Sequence, residues 1–105
     1  MVIVETRVFT KLICALLSDE ELRRLQLALV LRPGQGPLVP GGAGLRKLRW
    51  ALPGRGKRGG LRILYDWDSS TDRLYMIYVY EKTKSSDLTR AQLRELARVV
   101  REELR

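Results

Sequence analysis

The chain has no histidine and a single cysteine in 105 residues. Without histidine, ribonuclease chemistry built on paired imidazoles is excluded, as are serine–histidine and cysteine–histidine nucleophile systems. Cys14 cannot close an internal disulfide, and its neighbours Leu12, Ile13, Ala15, Leu16 and Leu17 predict a buried small hydrophobe rather than a nucleophile. No metal site is expected, because the ligands would have to come from that cysteine and scattered carboxylates. Asp66 and Asp68 share a strand face but are read as solvated acids beside a turn. The Walker pattern of a phosphate loop is also missing, so no cofactor is expected.

Long hydrophobic runs are absent too. Nothing approaches the roughly 18 apolar residues of a membrane span, and Met1 to Glu5 lacks the basic flank and apolar stretch of a secretion signal. A cytoplasmic protein with no membrane partner is expected. An apolar fraction of 45% with 30% charged residues is ordinary globular composition, and the length suits one domain over residues 1–105.

The most telling absence is local. Between Pro33 and Tyr65 there is no acidic residue, while Arg46, Lys47, Arg49, Arg55, Lys57, Arg58 and Arg62 all fall there. The remainder of the chain is close to neutral, with 13 basic against 12 acidic residues, so nearly all of the net +8 charge sits in one third of the sequence. A field concentrated in this way attracts a polyanion, and nucleic acid is the commonest one in a cytosol.

Hydrophobic periodicity divides the chain into elements. The β-branched run from Val2 to Phe9 reads as a strand and Thr10 to Leu17 as a short helix. Ser18 and Glu21 have capping-box spacing ahead of Leu22, Leu25 and Leu29, which completes a helical hairpin. Residues 32–44 hold three prolines and five glycines and read as a mobile loop. Strands are predicted over Leu45 to Leu52, Leu61 to Asp68 and Arg73 to Glu81, as an antiparallel meander. Thr89 and Gln92 form a second capping box before a last helix, whose Arg94, Arg98, Arg101 and Arg105 are read as a solvated face. The expected fold is α+β: a mainly antiparallel sheet with an N-terminal helical hairpin and a C-terminal helix. Leu48, Trp50, Ile63, Tyr65 and Trp67 should be buried under the hairpin.

Alternation along the strands then sorts the cations. Lys47 and Arg49 project together, opposite Leu48 and Trp50, and Arg62 projects opposite Leu61, Ile63, Tyr65 and Trp67. These three should converge on one groove, with Lys82 and Lys84 closing its other edge. Arg55, Lys57 and Arg58, set among glycines that permit close approach to phosphate, are assigned with Arg46 and Arg49 to RNA or ribosome binding. Such a cluster can cleave RNA without histidine. A base takes the ribose 2′-hydroxyl proton, the oxygen attacks phosphorus in line, and cations stabilise the charge on the phosphoryl oxygens. A lysine can act as base or acid only where neighbouring charge or desolvation lowers its pKa.

The element order and three segments carry a family resemblance. Gly44-Leu-Arg-Lys-Leu-Arg-Trp50, Gly54-Arg-Gly-Lys-Arg-Gly-Gly-Leu-Arg-Ile-Leu-Tyr65 and Tyr80-Glu-Lys-Thr-Lys-Ser-Ser-Asp-Leu-Thr89 resemble the HigB branch of the RelE/ParE toxin superfamily. The resemblance implies a RelE-like fold and the toxin of a type II toxin–antitoxin pair, an endoribonuclease that cuts messenger RNA on the ribosome. It also implies a cognate antitoxin protein as partner. It gives Arg62 the role of contacting the scissile phosphate, and matches Lys47 and Arg49 to a lysine pair on the preceding strand. RelE carries a catalytic tyrosine near its carboxyl end that has no counterpart at the matching place here, so Lys47, Lys82 and Lys84 all stand as candidate bases. A ParE-like gyrase inhibitor and a non-enzymatic RNA-binding module are the alternatives.

Overall fold

A computed structural model describes residues 1–52, 60–82 and 87–105. The chain opens with strand β1 (Val2–Glu5), shorter than the expected strand to Phe9 because Thr6 turns the backbone into a helix. The Thr6 hydroxyl accepts from the Phe9 amide and so caps α1 (Arg7–Leu16). Phe9, Ile13 and Leu17, one helical turn apart, are thereby aimed at the sheet and buried. Helix α2 (Asp19–Leu31) begins with the predicted Ser18–Glu21 capping box and has three acids in its first turn, which suit the positive end of the helix dipole.

Strands β2 (Arg46–Trp50), β3 (Leu61–Asp68) and β4 (Arg73–Glu81) form the antiparallel meander. The sheet as a whole is mixed rather than mainly antiparallel, because β1 lies outside β4 and runs parallel to it, giving the order β1-β4-β3-β2. The Thr89–Gln92 capping box starts α3 (Arg90–Val99), and the chain continues as a π-helical segment over Val100–Leu104.

Both faces of the sheet are covered. Under α1 and α2 lie Leu48, Leu61, Ile63, Tyr65, Leu74, Met76 and Val79, while Trp50 and Trp67 are only half-buried at the margin of this core. On the second face Leu45, Leu64, Tyr75 and Ile77 meet Leu93, Ala97 and Val100 of the C-terminal helix. Cys14 is exposed, on the face of α1 away from Ile13, so its expected burial does not hold.

One further expectation changes for an electrostatic reason, and the expected loop acquires fixed contacts. Asp66 is buried, at 4% exposure, rather than solvated, and Arg105 donates to its Oδ2 from Nε at 3.0 Å and also from Nη2. The proline- and glycine-rich loop is tied down at several points. The Tyr65 hydroxyl donates to the Pro33 carbonyl at 2.7 Å and accepts from the Gly36 amide at 2.9 Å. Arg46 donates to the Gly34 and Gly36 carbonyls, and Leu38 forms a bridge with Arg46. A Cβ on Gly36 would lie 2.9 Å from the Tyr65 ring, so the loop closes over Tyr65 only with glycine there.

Among the described residues no helix is long and apolar enough to cross a membrane.

Candidate functional site

The site is built on the face of the sheet that carries the C-terminal helix, beside the apolar contacts that helix makes. Apolar contacts to α3 reach Leu64 of β3. Two residues earlier on the same face stands Arg62, 7% exposed. Cross-strand pairing places Arg49 of β2 directly on one side of Arg62 and Tyr80 of β4 directly on the other. Paired residues share a face, so Arg49, Arg62 and Tyr80 form one lateral row. The adjoining row is Lys47, Leu64 and Tyr78.

Tyr80 owes its place in this row to an irregularity in β4. Leu64 pairs with Tyr78 but Tyr65 pairs with Met76, so Ile77 is one residue in excess on β4. Such a bulge reverses the alternation beyond it. Leu74 and Met76 face the α1–α2 core while Tyr75, Ile77 and Tyr78 all face the other way, and Tyr80 follows Tyr78. The bulge is held from the side: the Thr6 hydroxyl donates to the Ile77 carbonyl at 2.8 Å, and the Thr6 amide to the Met76 carbonyl at 3.0 Å. The rings of Tyr78 and Tyr80 then lie side by side with centroids 6.2 Å apart.

Above the row, a carboxylate gathers the remaining polar groups. Oδ1 of Asp87 accepts from the Tyr80 hydroxyl at 3.0 Å and from Lys82 Nζ at 2.7 Å, and Lys47 Nζ lies 3.8 Å from the same oxygen. The Lys82 bond, the Tyr80 bond and the nearby Lys47 charge hold the Asp87 carboxyl below its usual range. Tyr80 moves the other way. Burial, together with the bond to Asp87 and its charge, pushes the phenol up to about 12, against an opposing influence from Arg62. Tyr80 is therefore a proton-bearing donor throughout the physiological range. Between these groups is a cavity of about 30 Å³, lined in part by Lys47, Leu64, Tyr80 and Asp87, with room for water but not for a nucleobase.

The start of β3 is fixed closely against β2. A Cβ on Gly60 would stand 2.9 Å from the Trp50 carbonyl oxygen and 3.5 Å from an Arg62 terminal nitrogen, so only glycine lets the two strands close here. The Gly60 carbonyl accepts from the Lys82 amide at 3.3 Å, which joins the end of β4 to the same corner.

Of the residues singled out in the sequence, the structure brings together Lys47, Arg49, Arg62 and Lys82. It places Arg46 on the opposite face, engaged with loop carbonyls and away from the groove. Lys84, Arg55, Lys57 and Arg58 lie outside the described residues. Arg98 and Arg105, read as solvated, are engaged with Glu95 and Glu102 and with Asp66. Tyr80 and Asp87 were missed. Plain alternation from Leu74 and Met76 sends Tyr80 into the hairpin core, and no sequence signal marks the bulge; only the position of Asp87 five residues past Lys82 hints at a counterion. Among the described residues no group of three or more acidic or cysteine side chains is placed to hold a metal ion. No protein-family model matches the chain.

Proposed function

We propose that this chain is the toxin of a type II toxin–antitoxin system, a metal-independent endoribonuclease that cuts messenger RNA on the ribosome, as its resemblance to the HigB branch of the RelE/ParE superfamily implies. The observation that carries the reading is the row Arg49, Arg62, Tyr80 on a strand-built floor, flanked by Lys47 and Lys82. Three adjacent strands fix the backbone of this row, which gives the positional accuracy that phosphoryl chemistry demands.

In this mechanism Arg62 holds two oxygens of the scissile phosphate with its planar fork and stabilises the charge that builds on them. Arg49, exposed at the neighbouring position, carries the adjoining backbone. The 2′-oxygen attacks phosphorus as its proton passes to a base, the bond to the 5′-oxygen breaks, and that oxygen leaves with a proton. The products are a 2′,3′-cyclic phosphate and a free 5′-hydroxyl. Lys47 and Lys82 flank the reacting group as cations that can deliver a proton to the leaving 5′-oxygen, while Tyr80 supplies a neutral donor beside Arg62. A cognate antitoxin protein is the partner that silences the site.

The test is primer extension on a translated message with and without the purified protein. New 5′ ends at discrete codons support the reading. Salt-dependent RNA binding with no cleavage, even on translating ribosomes, would replace it with a non-enzymatic binding module. Inhibition of gyrase with messages intact would replace it with a ParE-like activity.

A further inference from the structure

Asp87 is an acid at the centre of a site whose other polar groups are donors. One oxygen, Oδ1, receives the Tyr80 hydroxyl and the Lys82 ammonium and has the Lys47 ammonium at 3.8 Å. Two cations and a neutral hydroxyl converging on one oxygen form the coordination that a non-bridging phosphate oxygen receives in a protein. The carboxylate that fills it is itself about half exposed, so it can swing out without unfolding anything. Its three partners are better fixed. Lys47 and Tyr80 stand on strands that each pair with β3, and the Lys82 amide is bonded to Gly60.

The geometry points to a phosphate subsite formed by Lys47, Tyr80 and Lys82, in which the Asp87 carboxylate sits as an internal stand-in that a phosphodiester must displace. The inference rests on the RNA-cleaving reading for the identity of the ligand, and adds to it where one backbone phosphate binds and what opposes its binding. The subsite lies one cross-strand step from Arg62, since Tyr80 is the direct partner of Arg62 on β4. It therefore receives the scissile phosphate or the one next to it. Asp87 lowers affinity, because each binding event first breaks its contacts to Lys82 and Tyr80. It also prevents two lysines from standing unneutralised together in the free protein.

Removing the carboxylate charge separates this role from its opposite. In Asp87→Asn and Asp87→Ala, a short single-stranded RNA with 2′-O-methyl riboses, which cannot be cleaved, should bind roughly fivefold tighter than to the unaltered protein at equal salt. Inorganic phosphate, followed by NMR shifts of the Tyr80 and Lys82 amides, should show the same ordering. The gain should vanish when Lys82→Gln is added to Asp87→Asn, and thermal unfolding should confirm that each variant is folded. Equal or weaker binding of both probes by folded Asp87→Asn would overturn the proposal, because Asp87 would then be orienting the donors for the ligand rather than standing in its place. The two readings fail separately. Cleavage of messages with no gain in the Asn variant rejects the subsite alone, while a gain for inorganic phosphate without RNA binding by any variant upholds the subsite and rejects RNA as its ligand.

Discussion

Arg62 and Tyr80 are direct partners across the β3–β4 ladder, and the extra residue Ile77 is what puts them on the same face. The guanidinium and the phenol come from strands that plain alternation would set back to back. Their pairing makes the site more than a patch of positive charge: it contains one buried cation, one neutral donor that keeps its proton, and the Asp87 carboxylate linking that donor to Lys82.

The elevated phenol of Tyr80 gives a direct titration signature. In a tyrosinate absorbance titration one tyrosine should ionise at about 12, and Tyr80→Phe should abolish that step. The sign for stability follows from linkage. Between the ordinary value of about 10 and the folded value, the unfolded chain has released a proton that the folded chain retains, so stability falls as pH rises through this window and levels off above it. The variant should show a shallower decline. An unchanged titration curve would mean that Tyr80 is neither buried nor bonded as described.

Tyr65 is predicted to anchor the loop over the sheet. Tyr65→Phe removes the bond to the Pro33 carbonyl and leaves the Gly36 amide without its acceptor, which should cost about 1–3 kcal/mol in urea unfolding. Amide exchange across residues 33–39 should accelerate with it. A loss confined to global stability, with loop protection unaltered, would contradict the anchoring.

Arg105 is predicted to stabilise the fold through Asp66. Arg105→Ala strands a buried carboxylate and should cost about 1–3 kcal/mol, less than a fully enclosed pair because the arginine side is partly exposed and screened. In an Asp66→Asn background the same substitution should cost measurably less. Additive losses in that double-mutant cycle would show that the two residues do not interact.

Much of the fold was legible because it rests on short-range signals. Ser18 with Glu21 and Thr89 with Gln92 form the capping boxes their spacing announces, and β3 and β4 occupy the residues their apolar runs predict. What was hidden depends on long-range contacts. The parallel seat of β1 beside β4 is fixed by where a distant strand lies, and Asp66 is buried because a residue 39 positions away reaches it. Within the site, Lys47, Arg49 and Arg62 follow from strict alternation on β2 and β3, which hold no bulge between those residues. Tyr80 does not, because a single extra residue held by Thr6 rephases its strand. Charge alone groups Arg46 with the cations proposed to bind RNA, although its place in β2 puts it on the face of Leu48 and Trp50.

The central claim is that Arg62 stabilises the transition state of RNA cleavage, and the most direct measurement compares Arg62→Ala with the unaltered protein in primer extension on a translated message. The account predicts a folded variant that still associates with ribosomes but cleaves roughly 10²–10³-fold more slowly, as expected for loss of about 2.7–4 kcal/mol of charge stabilisation. Arg62→Lys should recover only part of the rate, because a point charge cannot bind two phosphoryl oxygens at once. A folded Arg62→Ala protein that cuts the same codons at the normal rate would contradict the claim.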